Sequence, residues 1–179
     1  MFKSKQTGFS LVELMVTVAI IGILASFAAP SFRAWIQNTK VRTAAESILN
    51  GIQKARTEAL MRNAPVRFTL GANSAWTVGC VTVVADLNGD GVDDCPATIE
   101  TRSNNEGNTS AAIISPTPGG ATQAVFNNLG VKSTAVANQL TQVGVNFTGA
   151  DRNLNITLGT GGTVRLCDPN ANVSDPRRC

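Results

Sequence analysis

Thr7 to Pro30, TGFSLVELMVTVAIIGILASFAAP, is the stretch from which the rest of this chain can be read. From Phe9 to Ala29 it holds 21 residues and one charge, Glu13. As a helix these residues rise about 31 Å at ~1.5 Å each, enough to cross the roughly 30 Å hydrocarbon core of a bilayer. Lys3 and Lys5 precede the run and Ala28-Ala29-Pro30 closes it, which is also the order of a cleavable secretory signal. The apolar part of such signals is usually about 7 to 15 residues, however, and this one is longer.

Glu13 is the sharper objection. An unpaired carboxylate at membrane depth costs roughly 2.5 to 3.5 kcal/mol, so it needs a partner. A cut between Gly8 and Phe9 makes one, because it leaves a free α-amino group on Phe9 about one helical turn from Glu13. In a stack of such helices Glu13 neutralises the ammonium of its own or a neighbouring Phe9. A plain signal-anchor helix leaves the glutamate unexplained.

With the following Ser31 and Phe32, this string resembles the type IV prepilin signature: Gly before the cut, Phe after it, Glu at the fifth mature position, then an unbroken apolar helix. The resemblance implies a prepilin peptidase that cleaves at Gly8 on the cytoplasmic face and methylates Phe9, leaving the helix in place. It implies a single-pass protein of the bacterial inner membrane with a periplasmic head, later moved into a pilus or pseudopilus at the cell surface. The implied segments are a leader, 1–8, a transmembrane or filament-core helix, 9–29, an amphipathic helix, 30–63, and a β-rich head, 64–179.

Composition narrows the remaining functions. The 179 residues carry no histidine and no tyrosine, which removes the commonest general base and metal ligand and most triad arrangements. No nucleophile constellation stands in their place, so no catalytic residue is expected. Dropping Lys3 and Lys5 from the formal +3 leaves +1 on the mature side chains, too little to mark a nucleic-acid binder.

Pro30 lacks the backbone N–H that bonds one turn back, so it kinks or breaks the helix. The helical pattern then resumes from Ser31 to about Asn63, with Val41, Ala45, Ile48, Ile52, Ala55 and Ala59 at three-and-four spacing and charges on the other faces. Asn63-Ala64 before Pro65 marks the stop. Beyond it come short β-prone runs: 66–70, 76–85, 98–102, 112–115, 124–127, 143–147, 154–158 and 163–167, separated by Gly, Asn, Pro and Ser. Ser103 to Ser110 and Pro116 to Gly120 read as loops. The expected fold is α+β, a long helix packed on an antiparallel β-sheet head.

Three groups carry candidate chemistry. Asp86-Leu87-Asn88-Gly89-Asp90-Gly91 matches the first half of a calcium loop, with Asp86, Asn88 and Asp90 as ligands, but the closing carboxylate position holds Ala97, with Asp93 and Asp94 as substitutes. Asn-Gly and Asp-Gly also signal a hairpin turn, which is the preferred reading. Four cysteines lie downstream of the apolar run, where an exported head meets an oxidising compartment, and no CxxC pair suggests zinc. They allow three pairings; Cys80 with Cys95 and Cys167 with Cys179 close the shortest turn-rich loops, and free thiols are the alternative. Arg165, Arg177 and Arg178 cluster near the C-terminus, a composition able to grip nucleic-acid phosphates.

Over nearly the whole chain the pattern is similar to the GspH/FimT group of minor pilins and pseudopilins, in which a tryptophan, a strand and an Asp/Asn/Gly-rich turn follow in the order seen from Trp76 to Asp94. Gly162-Thr163-Val164-Arg165-Leu166-Cys167 and the terminal Asp-Pro-Arg-Arg-Cys look similar to FimU-like minor pilins. Some FimT-like members carry a Gly-Arg-x-Arg motif suited to DNA uptake; here its first arginine is absent, the stretch being Gly162-Thr163-Val164-Arg165. The resemblance therefore implies a structural subunit that helps prime pilus assembly. Its implied partners are other minor pilins, the major pilin, the prepilin peptidase and the inner-membrane assembly platform. A type II secretion pseudopilin and a DNA-uptake receptor are the alternatives, and no cofactor other than calcium is in question.

Overall fold

The computed structural model describes residues 8–87, 89, 91, 93–107 and 109–179, with the backbone alone at 28 and 30. The first seven residues of the expected leader thus lie outside the described residues. One helix, α1, runs from Leu11 to Met61. It bends by 45° between an arm Leu11–Phe27 and an arm Ser31–Met61, where Pro30 withdraws its backbone donor.

The helix ends where Asn63 adopts a left-handed φ of 49°, and the N–H of Ala64 returns to the carbonyl of Ala59, a Schellman closure. Helical residues therefore stop two short of the expected Asn63. Asn is one of the few side chains that enters this region at low cost, so the stop is written locally.

Eight strands follow: β1 Val66–Leu70, β2 Trp76–Cys80, β3 Glu100–Arg102, β4 Ile113–Thr117, β5 Gln123–Phe126, β6 Gln142–Asn146, β7 Leu154–Leu158 and β8 Val164–Cys167. They form two four-stranded antiparallel sheets, ordered β3-β2-β1-β5 and β4-β6-β7-β8. Of the expected runs, 66–70 and 154–158 keep their bounds, four others move by one or two residues at their ends, and two change more. The run 76–85 leaves the sheet at Cys80, because the chain turns into the loop closed by Cys95, within which Val84 and Cys95 form an isolated bridge. The run 112–115 extends through Pro116 to Thr117, which the sequence placed in a loop; β4 is an edge strand, so Pro116 gives up no ladder bond on its open side.

The second arm of α1 packs against β1, β2 and β5 of one sheet and β6, β7 and β8 of the other. Val41, Ala44, Ala45, Ile48, Ile52, Ala55 and Ala59 are all fully buried along its inner face. Phe68, Val78 and Phe126 meet that stripe from the first sheet, and Val143, Val145 and Ile156 from the second. Each fully buried large apolar side chain contributes about 1.5 to 3 kcal/mol, so this stripe holds the head to the helix.

The strand edges are closed or short. Ser133 and Leu140 donate backbone N–H groups to Val125 and Gln123 along β5, and the C-terminal segment closes the end of the four-residue β8 through Asp168 N–H to Arg177 carbonyl. The other two edges are β3, three residues long with Glu100 and Arg102, and β4 with its proline.

Gly51 sits where α1 passes under Trp76. A Cβ there would lie 2.7 Å from Trp76 Cδ2 and 2.9 Å from Phe68 Cε2. Gly→Ala in a helix ordinarily gains up to ~1 kcal/mol, but overpacking costs about 1 to 3. Gly51→Ala is therefore expected to destabilise the head, read as a lower denaturation midpoint of the full chain in detergent; a rise would contradict the contact.

Candidate functional site

The first arm of α1 stands clear of the head. From Phe9 to Phe27 every large apolar side chain is more than half exposed, from 51% at Ile20 to 84% at Phe9. Water would penalise such a surface heavily, so it belongs against lipid or other apolar helices. Among the described residues no single straight helix is long and apolar enough to cross a membrane; the bent pair Leu11–Phe27 and Ser31–Met61 reaches that length and composition together.

The start of this arm is built from Ser10 and Glu13. Ser10 takes an extended conformation, φ −78° and ψ 151°, and its Oγ accepts the Glu13 N–H at 3.2 Å. It is the N-cap, and Glu13 falls in the first turn, where the helix dipole favours a negative charge. The Ser-x-x-Glu spacing is a capping-box signal, legible in the letters and overlooked beside the cleavage motif. Gly8 and Phe9 lie just ahead of the cap, Phe9 almost fully exposed and Gly8 with open space around it, so the proposed cut site is accessible.

The cysteines pair as their spacing suggested, Cys80 with Cys95 and Cys167 with Cys179. The first bridge is buried at both ends; in the second only Cys167 is buried and Cys179 is exposed. Arg62 ties the first loop to the helix by donating from Nη1 to the Asp94 carbonyl. Arg165 does the same for the second, donating from Nη2 to the carbonyls of Pro176 at 2.6 Å and Arg178 at 3.1 Å. Its role as a clamp on the terminal loop was invisible in sequence, since nothing local announces a contact across eleven residues.

Arg177 holds Asp175, Nη2 to Oδ2 at 2.7 Å, and this hydrogen bond keeps the Asp175 carboxyl down at about 2 while raising Arg177. A cavity of about 230 Å³ nearby is lined by Asn38, Val41, Arg42, Arg152, Asp168 and Arg177. Each of its arginines faces a carboxylate: Arg42 with Glu46, Arg152 with Asp168 and Arg177 with Asp175. The cavity is charge-balanced and offers phosphate little net attraction. The structure thus brings Arg165 of β8 beside Arg177 and Arg178 of the terminal loop, but engages Arg165 with that loop's carbonyls and Arg177 with Asp175.

Of the calcium candidates, Asn88 and Asp90 lie outside the described residues. Asp86 accepts the N–H groups of Gly89 and Gly91, at 2.6 and 2.7 Å, and Asp94 accepts that of Leu87 at 3.0 Å. Gly89 and Gly91 have φ of 80° and 86°, the left-handed values for which the glycines are needed. These bonds are those of a side-chain-capped turn. Among the described residues no group of three or more His, Cys, Asp or Glu is placed to hold a metal ion.

Glu58 and Asp168 are buried carboxylates of the head, and Glu58 lies on α1 between Lys54 at 3.1 Å and Arg62 at 2.8 Å. Burial works to raise its carboxyl, but hydrogen bonds from Arg62 and Lys54 and their charges outweigh this and lower it from the usual 4.5. For Asp168 the hydrogen bond from Arg152 is the leading cause, and its carboxyl too is lowered.

Residues 44–178 match the model of the family "Type II transport protein GspH", and residues 3–29 that of the "Prokaryotic N-terminal methylation motif". In sequence the chain is similar to the "Type IV major fimbrial protein FimA" of Dichelobacter nodosus, 59% identical over 39 residues, 22% of this chain and 24% of FimA. A "Fimbrial protein" of the same organism is 55% identical over 38 residues, 21% of this chain and 24% of that one. The chain therefore spans about a quarter of the length of these curated relatives. In fold it is similar to the type IV minor pilin FimU of Pseudomonas aeruginosa strain PAO1 in two crystal forms. One gives a TM-score of 0.54 at 12% identity over 76% of this chain and 98% of that one; the other gives 0.51 at 13% over 73% and 98%.

Two outcomes are expected. Because the lowered carboxyls of Glu58 and Asp168 favour the charged form in the folded state, their stabilisation is present above about 4.5 and 3.8 and is lost as pH falls through their lower folded values. Glu58→Gln should cost about 1 to 2 kcal/mol at neutral pH and flatten the acid limb of a pH–stability curve; an unchanged limb would contradict the network. Mild reduction without denaturant should free two thiols first, at Cys167 and Cys179, because only that bridge has an exposed end. Mass mapping that finds Cys80 and Cys95 released first would refute this.

Proposed function

This chain belongs to the GspH family, and within it we propose a minor pilin of a type IV pilus. The fold and the family are those of structural pilins rather than enzymes. In our reading the peptidase cuts at Gly8, Phe9 is methylated, and α1 anchors the subunit in the inner membrane. The subunit then joins other minor pilins and the major pilin on the assembly platform, helping to start the filament. The reading invokes no cofactor.

The observation that carries it is the bare apolar arm with one carboxylate in its first turn. Apolar side chains keep the same dry surroundings when such an arm passes from lipid into a bundle of like arms, so little free energy opposes the transfer. Glu13 then supplies register, because only one axial offset brings it to a neighbouring α-amino group. Similarity to FimU across 98% of that minor pilin supports the head assignment.

The family's description as a type II transport protein favours a second reading, a type II secretion pseudopilin with the same leader and arm. Proteins recovered with the subunit distinguish the two, pilus components in one case and secretion components in the other. The DNA-uptake reading is weaker here, with Arg165 engaged by carbonyls of the terminal loop and Arg177 by Asp175. A head that binds duplex DNA at low salt, and loses it in an Arg177→Ala/Arg178→Ala variant, would revive it.

The central test uses two substitutions. Gly8→Val is expected to leave uncut precursor, seen by mass. Glu13→Ala is expected to be cut normally yet to fall about tenfold in sheared filaments, as loss of a roughly 1.4 kcal/mol contact would give. Normal processing after loss of Gly8 would overturn the pilin assignment.

A further inference from the structure

Between the end of the apolar run at Ala29 and the point where the head reaches α1 lie seven residues, 30–36. The head meets α1 at Gln37, whose Cγ lies 4.0 Å from where a Cβ on Gly149 would stand, and at Asn38, whose Oδ1 accepts the Asp151 N–H at 3.0 Å. Seven helical residues rise about 10 Å, or about 7 Å along a membrane normal once tilted by the bend of 45°. A headgroup layer, half the difference between a total of ~40 to 45 Å and a core of ~30 Å, is about 5 to 8 Å deep.

The side chains in this gap suit that layer. Phe32 and Trp35 stack on one face, ring centroids 5.7 Å apart, and are 60% and 62% exposed. Among the described residues no acceptor meets the Trp35 indole N–H, whereas the buried Trp76 donates to Ser47 Oγ at 3.0 Å. From Leu14 to Ala45 the chain has no carboxylate, while Arg33 lies between the two aromatic residues and Lys40 follows them. An apolar ring with a wet N–H, beside cations without acids, matches the phosphate and ester groups of a bilayer surface.

We propose that Phe32, Arg33 and Trp35 form a headgroup anchor that sets how deep the subunit sits in a phospholipid membrane before assembly. This rests on the membrane-anchored reading above. The bend carries the start of the second arm obliquely through the headgroup layer, and the anchor then keeps the head from sinking or tipping.

The full chain in vesicles of phosphatidylethanolamine and phosphatidylglycerol tests it, with Trp35 fluorescence isolated by subtracting the Trp35→Phe spectrum, so that Trp76 stays in place. Lipid brominated near the headgroup end of the acyl chain is expected to quench Trp35 about threefold more than lipid brominated near its tip. A chain that floats with the vesicles but shows equal, deeper or no quenching overturns the anchor and leaves the membrane reading standing. A chain that does not float refutes the membrane reading itself. Quenching that vanishes as the protein-to-lipid ratio rises, at constant flotation, assigns the aromatic pair to contacts between copies of this chain and also overturns the anchor.

Discussion

Close approach between the second arm of α1 and two sheets is the contact on which the rest of the head depends. Ala44, Ala45, Ala55 and Ala59 line it, and Gly51 lets Trp76 lie against the helix backbone. Small residues here trade side-chain burial for proximity, which lets one helical face serve strands on both sides. The larger Val41, Ile48 and Ile52 fill the spaces between. Were the stripe uniformly large, the sheets would be held off and the interior left with voids, and cores pack too densely to tolerate that. The helix is thus a wall of the core and not an appendage to it.

Around this wall, long irregular segments are fixed by a few polar ties. Arg62 connects the helix end to the loop of Cys95, Arg56 donates from Nε to the Gly130 carbonyl at 3.0 Å, and Arg165 clamps the terminal loop. Each arginine reaches a backbone carbonyl that no strand partner satisfies, which explains why basic residues that look surplus in the sequence do not make a basic surface. The disulfides limit the freedom of the same loops in the unfolded chain, and the ties orient them in the folded one.

Much of this was legible in the letters because it is local. The apolar run with Glu13, the stripe from Val41 to Ala59, the stop at Asn63 and the strands at 66–70 and 154–158 all follow from spacing and turn chemistry within a few residues. Division of the strands into two sheets was not legible, since β5 leaves β4 to pair with β1, a choice made by tertiary packing. Nor was the departure of the chain at Cys80, since Val81 to Ala85 have β-prone composition but are held only by a Val81 bond to Pro65 and an isolated bridge of Val84 with Cys95 among the described residues. At the helix start the reverse held: Ser10 announced its cap by ordinary spacing, overshadowed by the cleavage motif around it.

The treatment of the sheet edges bears on how such subunits come apart. With β5 covered, β8 four residues long and closed at its end, β3 cut to three residues and β4 carrying Pro116, neighbouring heads have little strand edge on which to build a shared ladder. Cohesion between subunits then falls to the side-chain surfaces of the helices, which separate without breaking a continuous row of backbone bonds. A polymer joined this way can be strong along its axis and still dissolve subunit by subunit, which a cross-strand fibre cannot do.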